Sequence, residues 1–365
     1  MNKPHKAMVP PAVIVRAVEK VRGALAHLNR RMLPAPAAML ELITAAWLSQ
    51  TIGVAARLGV ADLLKIGPRS SADLAKQLNV NAAALGRLLR ALAAYGIFRE
   101  TGEGRWELTS LAQTLRSDVE YSMNGFARFV GDRAHWQHWG ELLNSVETGE
   151  VSVPKLRGKG FFDYLEDNRE LAGAFNDAMT SVSDMARDPL IAAYDFSGHR
   201  CIVDVAGGHG RLLAAILQQA PQAQGILFDL PSVVSGAPAL LKQMEVAERV
   251  RVVGGSFFEQ VPEGGDCYLL KHIIHDWEES KALTILRKVR EAMGPDARLL
   301  MIELVVPGIN VPHFSKLLDM EMLLSVGGRE RTSEEYRELL AQAGLRMTRV
   351  IATASPISLI EAVVV

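Results

Sequence analysis

Apolar residues recur at spacings of three and four over residues 34–115, the pattern of amphipathic helices. The pattern predicts three helices: residues 34–64, a second that begins after a serine N-cap at Ser70-Ser71, and residues 81–95. Two short runs around a Thr-Gly-Glu-Gly turn then predict a β-hairpin over residues 97–108. Three helices followed by a hairpin is the order of a winged helix.

From Arg200 onward, short apolar runs alternate with helical patterns. We predict strands at 201–205, 224–228, 250–253, 266–270 and 298–303, helices at 212–219, 278–293 and 333–343, and a final pair of strands around Pro356. This alternation predicts an α/β fold with a doubly wound, mostly parallel sheet and helices on both faces.

Residues 116–190 join these two regions and are predicted to be mostly helical. Their aromatic residues have irregular spacing and include Phe126, Phe129, Trp136, Trp139, Phe161, Phe162, Tyr164 and Phe175. Such residues are commonly core, but ligand sites often form where domains meet, so both interpretations stay open.

The charge distribution bears on what the winged helix could do. Lys and Arg total 40 against 41 for Asp and Glu, for a net charge of -1. The helix that would enter a DNA groove offers only Arg87 and Arg90, and the hairpin carries Glu100 and Glu103, which phosphates would repel. We therefore expect a structural, subunit-pairing role rather than DNA binding.

Three further features place the chain among soluble proteins. Its two cysteines, Cys201 and Cys267, are too few for a disulfide framework, and we expect buried, reduced thiols. The basic arm at residues 1–33 contains an apolar run that is broken by Pro10-Pro11, a poor match to a secretory signal. The most apolar stretch, residues 42–56, is shorter than a bilayer span and is expected to form a buried helix. We expect a cytoplasmic protein without a membrane span.

A glycine-rich turn follows the first strand of the predicted sheet. The strand at 201–205 runs into Ala206-Gly207-Gly208-His209-Gly210 and then into a helix. Such a turn lets the backbone approach a ligand closely, although it can also serve packing alone. Asp229 ends the next strand about 20 residues later, the spacing of an acid that holds ribose hydroxyls. Together these features favour a nucleoside site.

Five motifs occur in order along the chain: Asp204-Val205-Ala206-Gly207-Gly208-His209-Gly210, Phe228-Asp229-Leu230-Pro231, Gly254-Gly255-Ser256-Phe257-Phe258, Leu270-Lys271-His272-Ile273-Ile274-His275-Asp276-Trp277 and Gly327-Gly328-Arg329-Glu330-Arg331-Thr332. From about Ala38 to the C-terminus the chain resembles the S-adenosylmethionine-dependent O-methyltransferases of the plant caffeate and flavonoid type and their bacterial relatives in secondary metabolism. The resemblance implies a Rossmann-like methyltransferase sheet, an N-terminal winged-helix dimerisation domain and a homodimer.

The resemblance also implies which residues hold S-adenosylmethionine, whose product is S-adenosylhomocysteine. The glycine turn would pass beside its methionine part, Asp229 would hold the ribose, and Ser256 and Phe257 would flank the adenine. The full set of implied cofactor residues is Ser183, Asp204, Gly207, Gly208, Gly210, Asp229, Leu230, Ser256, Phe257 and Lys271.

His275 is assigned by the resemblance as the catalytic base, with Glu303 and Glu330 as its carboxylate partners. A carboxylate on one ring nitrogen fixes the tautomer and stabilises the imidazolium. His272 and His209 are expected to be ordinary core or surface residues. The implied acceptor-binding residues are Phe175, Met179, Asp276, Asp319 and Met320.

Methyl transfer from a sulfonium is an in-line displacement, which requires alignment and a more nucleophilic oxygen. A phenol, with a pKa of about 10, is a feasible target for a histidine base with a pKa of about 6.5. We expect no metal, because the histidines and acids are not clustered at ligand spacing in the sequence.

Two positions depart from the family pattern. Ala206 replaces the usual first glycine, which we expect to be tolerated only where φ is negative. Ser256 replaces an aspartate, so a charge-assisted bond to the adenine amino group becomes an ordinary one.

The predicted organisation has four parts: a basic arm at 1–33, a dimerisation domain at 34–115, a helical linker at 116–190 that contributes to the acceptor pocket, and a catalytic domain at 191–365. We predict methyl transfer from S-adenosylmethionine to a phenolic, polyketide or phenazine-like hydroxyl. Two alternatives stay open: a DNA-binding regulator that senses the cofactor, and an enzyme of the same fold with decarboxylase or hydroxylase-type chemistry. His275, Glu303 and Glu330 favour ordinary transfer.

Overall fold

The computed structural model describes residues 9–365. They divide into two compact units. The helical unit comprises residues 22–143 and 152–185, and the sheet unit comprises residues 9–21, 144–151 and 186–365.

Most elements up to residue 193 are helices. In chain order they are α1 Ala12–Arg31, α2 Ala35–Arg57, α3 Val60–Leu64, β1 Arg69–Ser70, α4 Ser71–Leu78, α5 Ala82–Ala94, β2 Phe98–Glu100, β3 Arg105–Leu108, α6 Ser110–Gln113, α7 Asn124–Val130, α8 Arg133–Trp139, α9 Leu142–Thr148, α10 Ser152–Arg157, α11 Phe161–Asp167 and α12 Arg169–Ala193. The three strands form an antiparallel sheet in the order β1-β3-β2.

The winged-helix order of the helical unit follows from local signals. Ser70 caps α4 through a capping box with Asp73. Trp106 of β3 is 2 % exposed and donates a 2.7 Å hydrogen bond to Ser71, which ties the hairpin to that cap. The single helix predicted over 34–64 is divided at Gly59, whose φ of 66° ends one helix and begins the next.

Helix α2 corrects the prediction of a buried helix at 42–56. Of its 23 residues only Gly53, Ala55 and Ala56 are buried, and Trp47 is 71 % exposed. The helix is also longer than the apolar stretch at 42–56 that was expected to be too short for a bilayer, and by length and composition it could cross a membrane. The core helix of a soluble protein or a signal sequence can have the same length and composition. The apolar face of α2 lies on the surface of the isolated chain.

The basic arm is largely helical where it is described. Helix α1 covers most of it, with Arg30 and Arg31 in its last turn, where cations complement the helix dipole. Lys3, Lys6 and the start of the apolar run at 7–15 lie outside the described residues.

The sheet unit alternates strands and helices as predicted. Its elements after α12 are β4 Cys201–Val205, α13 Arg211–Gln219, β5 Gln224–Asp229, α14 Pro231–Val234, α15 Ala237–Gln243, β6 Val250–Gly254, β7 Cys267–Lys271, α16 Glu279–Ala292, β8 Arg298–Val306, α17 Ser315–Ser325, β9 Arg331–Thr332, α18 Ser333–Gln342, β10 Leu345–Ala352 and β11 Ile357–Val364. The apolar pattern of the sequence did not indicate α14, α15 or α17.

The main strands run in the order β10-β11-β8-β7-β4-β5-β6, with β9 paired to β8. The pairs from β8 to β6 are parallel, and β10 and β11 are antiparallel additions. Alternate residues of each strand enter two separate cores: Ile202 packs on one face and Val203 on the other. The sheet is therefore covered on both faces, as a doubly wound fold requires.

The cysteines lie on neighbouring strands of this sheet and are free thiols. Cys267 is fully buried as predicted. Cys201 is only half-buried, because it is the first residue of β4.

Candidate functional site

The predicted cofactor site lies where β4 ends and α13 begins. Gly208 and Gly210 have φ values of 61° and 81°, a region that favours glycine. A Cβ on Gly207 would lie 2.6 Å from Cγ of Asp204, so this position also excludes a side chain. The turn therefore presents bare backbone at the carboxyl edge of the parallel sheet, where such folds bind ligands.

Ala206 corrects the expectation of a negative φ. Its φ is 57°, in the left-handed region that costs an alanine about 1–2 kcal/mol. A 2.7 Å hydrogen bond from its N–H to the Phe228 carbonyl oxygen holds this conformation. The turn keeps its shape at an energetic cost that glycine would avoid.

Asp229 ends the neighbouring strand β5 and reaches the same turn. Its Oδ2 accepts a 2.8 Å hydrogen bond from the Gly208 N–H, and its Oδ1 accepts one of 2.7 Å from the Leu230 N–H. Leu230 is 51 % exposed. A half-buried carboxylate fixed by two backbone donors beside a glycine turn fits the vicinal hydroxyls of a ribose.

The predicted adenine residues follow strand β6. Ser256 lines an open cavity of about 550 Å³ with Phe228 and Gly255. Its hydroxyl accepts a 3.3 Å hydrogen bond from the Phe258 N–H, which shapes the turn. Phe257 and Phe258 each pack edge-on against Trp277. Their ring centroids lie 6.1 Å and 4.9 Å, respectively, from that of Trp277.

Asp204 and Lys271 stand on adjacent strands at the same edge. Asp204 is 2 % exposed, and its Oδ2 has no hydrogen-bond partner among the described residues. Burial raises the pKa of Asp204 to about 7, against the lowering effect of the Lys271 ammonium. This orphaned oxygen and the glycine cradle are the features that fit a polar, cationic cofactor such as S-adenosylmethionine.

The second constellation centres on His275, in the short 3-10 helix Ile274–Asp276 that follows β7. His275 Nδ1 lies 2.7 Å from Oε1 of Glu330 and 4.0 Å from Oε2 of Glu303. The three side chains are buried, with exposures of 7 %, 3 % and 0 %. The structure thus brings together the three predicted catalytic residues.

Backbone contacts fix this arrangement. The N–H of Arg329 donates a 2.9 Å hydrogen bond to the His275 carbonyl oxygen, and a Cβ on Gly328 would lie only 1.8 Å from that oxygen. Arg331, which is 1 % exposed, donates a 3.2 Å bond to the Ile274 carbonyl oxygen. The Gly-Gly-Arg-Glu-Arg segment consequently holds the histidine helix, and β9 holds that segment beside β8.

The electrostatics make His275 a strong base. Burial alone would lower its pKa, but the carboxylates of Asp276, Glu303 and Glu330 raise it to about 10. Burial raises the pKa of Glu303 to about 7 and that of Asp276 to about 6, while His275 opposes both shifts. The cluster therefore retains protons more strongly than the same groups do in water.

Two of the three predicted acceptor residues of the sheet unit, Asp276 and Asp319, contact this cluster. Asp276 Oδ1 is 3.4 Å from His275 Nε2. Asp319 and Met320 are half-buried in α17. Asp319 Oδ1 accepts a 2.8 Å hydrogen bond from the Glu330 N–H, so it also helps to hold the carboxylate partner of His275.

The other predicted residues belong to α12 of the helical unit. Phe175 is half-buried and packs edge-on against Phe129 and Phe161, each with a ring-centroid distance of 5.4 Å. Met179 is 41 % exposed, and Ser183 is half-buried. Phe175 and the two phenylalanines that it contacts therefore supply core packing within their own unit.

Two residues have surroundings that the sequence pattern did not indicate. Arg331, which holds the histidine helix, was only part of a motif. His272 was expected to be an ordinary residue, but it has a left-handed φ of 52° and its ring centroid lies 5.2 Å from that of His275. His272, His275 and Glu303 offer ligating atoms within 4.8 Å of one another, a spatial cluster that their spacing in the sequence did not indicate. The feature that marks His272 is a positive φ at a non-glycine residue, and the spacing of residues in the sequence does not predict that angle.

Comparison with known proteins gives matches over most of the chain. Residues 40–118 match the family model of the O-methyltransferase dimerisation domain, and residues 139–346 match that of the O-methyltransferase domain.

Individual relatives agree with the family models. The chain is 39% identical to the phenazine O-methyltransferase PhzM of Lysobacter antibioticus, over 90% of this chain and 96% of that protein. It is 40% identical to the O-demethylpuromycin-O-methyltransferase of Streptomyces alboniger, over 88% of each. A crystal structure of an O-methyltransferase from neocarzinostatin biosynthesis, in complex with S-adenosylmethionine and 2-hydroxy-5-methyl naphthoic acid, superposes with a TM-score of 0.75 at 32% identity, covering 87% of this chain and 96% of that one.

Proposed function

Since this chain belongs to the S-adenosylmethionine-dependent O-methyltransferases, we propose that it methylates a hydroxyl of a small aromatic acceptor, with His275 as the general base. The observation that carries the assignment of the base is the 2.7 Å contact between His275 Nδ1 and Glu330 inside the protein. The named relatives act on phenazine and puromycin-type compounds, and the acceptor proposed here is of the same aromatic class.

When bound, S-adenosylmethionine supplies the methyl group as an electrophile on a sulfonium. Asp229 and the glycine turn are proposed to hold its ribose and methionine parts, with Ser256 and Phe257 beside the adenine. Asp204 and Lys271 complete this edge of the sheet. These residues lie at or near the carboxyl ends of β4, β5, β6 and β7. Because those strands are parallel, the residues share one edge of the sheet.

His275 removes the proton from the acceptor hydroxyl as the oxygen attacks. Glu330 binds Nδ1, so that nitrogen keeps its proton and Nε2 is the atom that accepts the new one. The carboxylates then stabilise the imidazolium. The carboxylates raise the pKa of His275 above its ordinary value and toward that of a phenol, so the transfer of the proton is less unfavourable than it would be to a free imidazole.

The proposal includes a homodimer built on the dimerisation domain. Helix α2 exposes an apolar face that includes Met39, Ile43 and Trp47, at 55 %, 63 % and 71 %. A face of this kind is the mark of an interaction surface, and a second copy of the same domain would cover it. The exposed glutamates at Glu100 and Glu103 argue against a nucleic-acid partner for this domain.

The function is tested by a labelled-methyl assay over a panel of phenols, phenazines and polyketide hydroxyls. We expect transfer to at least one aromatic hydroxyl, and we expect His275→Ala to lose most of it while its affinity for S-adenosylmethionine in calorimetry stays unchanged. Full activity in His275→Ala would remove the proposed base. Transfer restricted to aliphatic alcohols would contradict the proposed acceptor class.

A further inference from the structure

His272, His275 and Glu303 bring three metal-ligating atoms to one place beside the proposed base. His272 Nδ1 lies 3.9 Å from Oε2 of Glu303, and His275 Nδ1 lies 4.0 Å from the same oxygen. We propose that this cluster binds Zn²⁺ or a similar late first-row divalent ion, and that the ion inhibits methyl transfer by occupying the histidine base.

Glu303 is fixed in the orientation that a ligand needs. Its Oε1 accepts hydrogen bonds of 3.2 and 3.0 Å from the N–H groups of Ile273 and Ile274. Its Oε2 is buried and has no hydrogen-bond partner among residues 9–365. Leaving a buried carboxylate oxygen without a donor is unfavourable, and a cation at that oxygen would offset the cost.

His272 is held in place by its backbone and has ring nitrogens available. Its N–H donates a 3.1 Å hydrogen bond to the Ile302 carbonyl oxygen, which fixes the left-handed conformation. Within the described part of the chain neither ring nitrogen has a hydrogen-bond partner, and both are buried, although the side chain as a whole is 22% exposed.

The spacing suits zinc after a small adjustment. With bonds of about 2.1 Å, tetrahedral zinc ligands stand about 3.4 Å apart. The two nitrogen-to-oxygen distances of 3.9 and 4.0 Å therefore have to close by roughly half an ångström, and the two histidine nitrogens, which lie within 4.8 Å of each other, by up to about 1.4 Å. Two imidazoles and a carboxylate favour Zn²⁺, Ni²⁺ or Cu²⁺ over Mg²⁺, which prefers oxygen ligands.

Inhibition rests on the proposed function, because it requires His275 to be the base. An ion on Nδ1 displaces the proton that Glu330 holds there, and the neutral ring regains that proton at Nε2 through solvent, so that no net proton is released. The ring proton then has to reside on Nε2, the atom that would otherwise accept the proton of the hydroxyl. The base is blocked although its side chain is intact.

Binding is tested on the full-length, tag-free protein with Zn²⁺ in calorimetry and with Co²⁺ by its visible absorption. We expect one ion per protomer and a loss of affinity on the order of 100-fold in His272→Asn, because one of three ligands is removed. Asparagine tolerates a left-handed φ, so this variant keeps the backbone. His27→Asn, at an exposed histidine of α1, is the matched control and should bind as wild type does.

Equal zinc affinity in the wild type and His272→Asn would overturn the site, as would equal affinity for Mg²⁺ and Zn²⁺. In the activity assay, the rate of each protein with zinc is divided by its own zinc-free rate. We expect this ratio to fall for the wild type and His27→Asn and to stay near one for His272→Asn. Binding through His272 with no inhibition would overturn the blocking of the base and count against His275 itself. The metal site and the proposed function can therefore fail separately.

Discussion

His275 and Glu330 lie 55 positions apart in the chain, yet Nδ1 of one is 2.7 Å from Oε1 of the other. The segment that carries Glu330 is itself bonded to the His275 backbone through Arg329. The contact therefore joins two segments whose relative position is already fixed. A base oriented in this way needs little reorganisation when it accepts a proton.

Replacing Glu330 by glutamine should lower the maximal rate of methyl transfer by about 100-fold, because the imidazolium loses its charged partner. It should also lower the pKa of His275, so the rising part of the pH-rate profile should move to lower pH. Steady-state rates measured across pH check both effects. Glu334→Gln, an exposed glutamate in α18, is the control and should leave the profile unchanged. A rate loss without a change in the profile would indicate a structural effect only.

The stability of the protein should fall as pH rises through the alkaline range. The folded pKa of His275 is raised from 6.5 to about 10, so its contribution is fully present below about pH 6.5 and is lost as pH approaches 10. Glu303 and Asp276 also have raised folded pKa values, of about 7 and about 6. Their contributions are likewise lost as pH rises, but in a range below the one that tests the histidine. Urea unfolding of the wild type and His275→Gln over this range isolates the histidine. The wild type should lose more stability than the variant; parallel curves would contradict the raised pKa.

Ala206→Gly should stabilise the protein by about 1 kcal/mol or somewhat less, because glycine adopts a φ of 57° without strain but loses more entropy on folding. Urea unfolding measures the change. Ala91→Gly makes the same substitution at an exposed position within α5 and should destabilise by about 1 kcal/mol. Opposite signs for the two substitutions are the expected result. Destabilisation by Ala206→Gly would contradict the left-handed conformation.

Ser256→Asp should tighten the binding of S-adenosylmethionine, since a carboxylate can accept a charge-assisted bond from the adenine amino group. We expect the dissociation constant to fall by about fivefold, a difference of roughly 1 kcal/mol. Calorimetry gives the constant directly. Ser256→Asn has a similar shape without the charge and should gain little. An unchanged or weaker affinity in Ser256→Asp would contradict the placement of this residue beside the adenine.

Trp47→Glu should disrupt the homodimer, because it would place a charge within the apolar face of α2. Light scattering should report a dimer for the wild type and a smaller species for the variant. Glu41→Gln, which alters an exposed polar residue of the same helix, should remain dimeric. A wild-type monomer would remove the proposed pairing surface.

The sequence by itself determined the parallel strands of the sheet unit and its helices α13, α16 and α18. Strand β4 begins and ends where the apolar run at 201–205 does, and β5, β7 and β8 lie within one to three residues of their predicted bounds. Buried strands of a parallel sheet read as continuous apolar runs, so their pattern is visible without tertiary information. Asp229 and His275 were likewise identified because each ends or follows such a run in a recognisable motif.

Only the tertiary structure decided three other points. Periodicity predicts that a helix face is apolar but not what covers it, so α2 was expected to be buried and instead lies exposed in the single chain. The backbone dihedral angles of Ala206 and His272 depend on hydrogen bonds from their N–H groups to the carbonyl oxygens of Phe228 and Ile302 on neighbouring strands. Residue type alone does not determine those bonds. The cluster of His272, His275 and Glu303 forms because β7 and β8 are neighbours in the sheet. That adjacency follows from the topology of the whole fold, since residues distant in sequence meet only where the strand order places them.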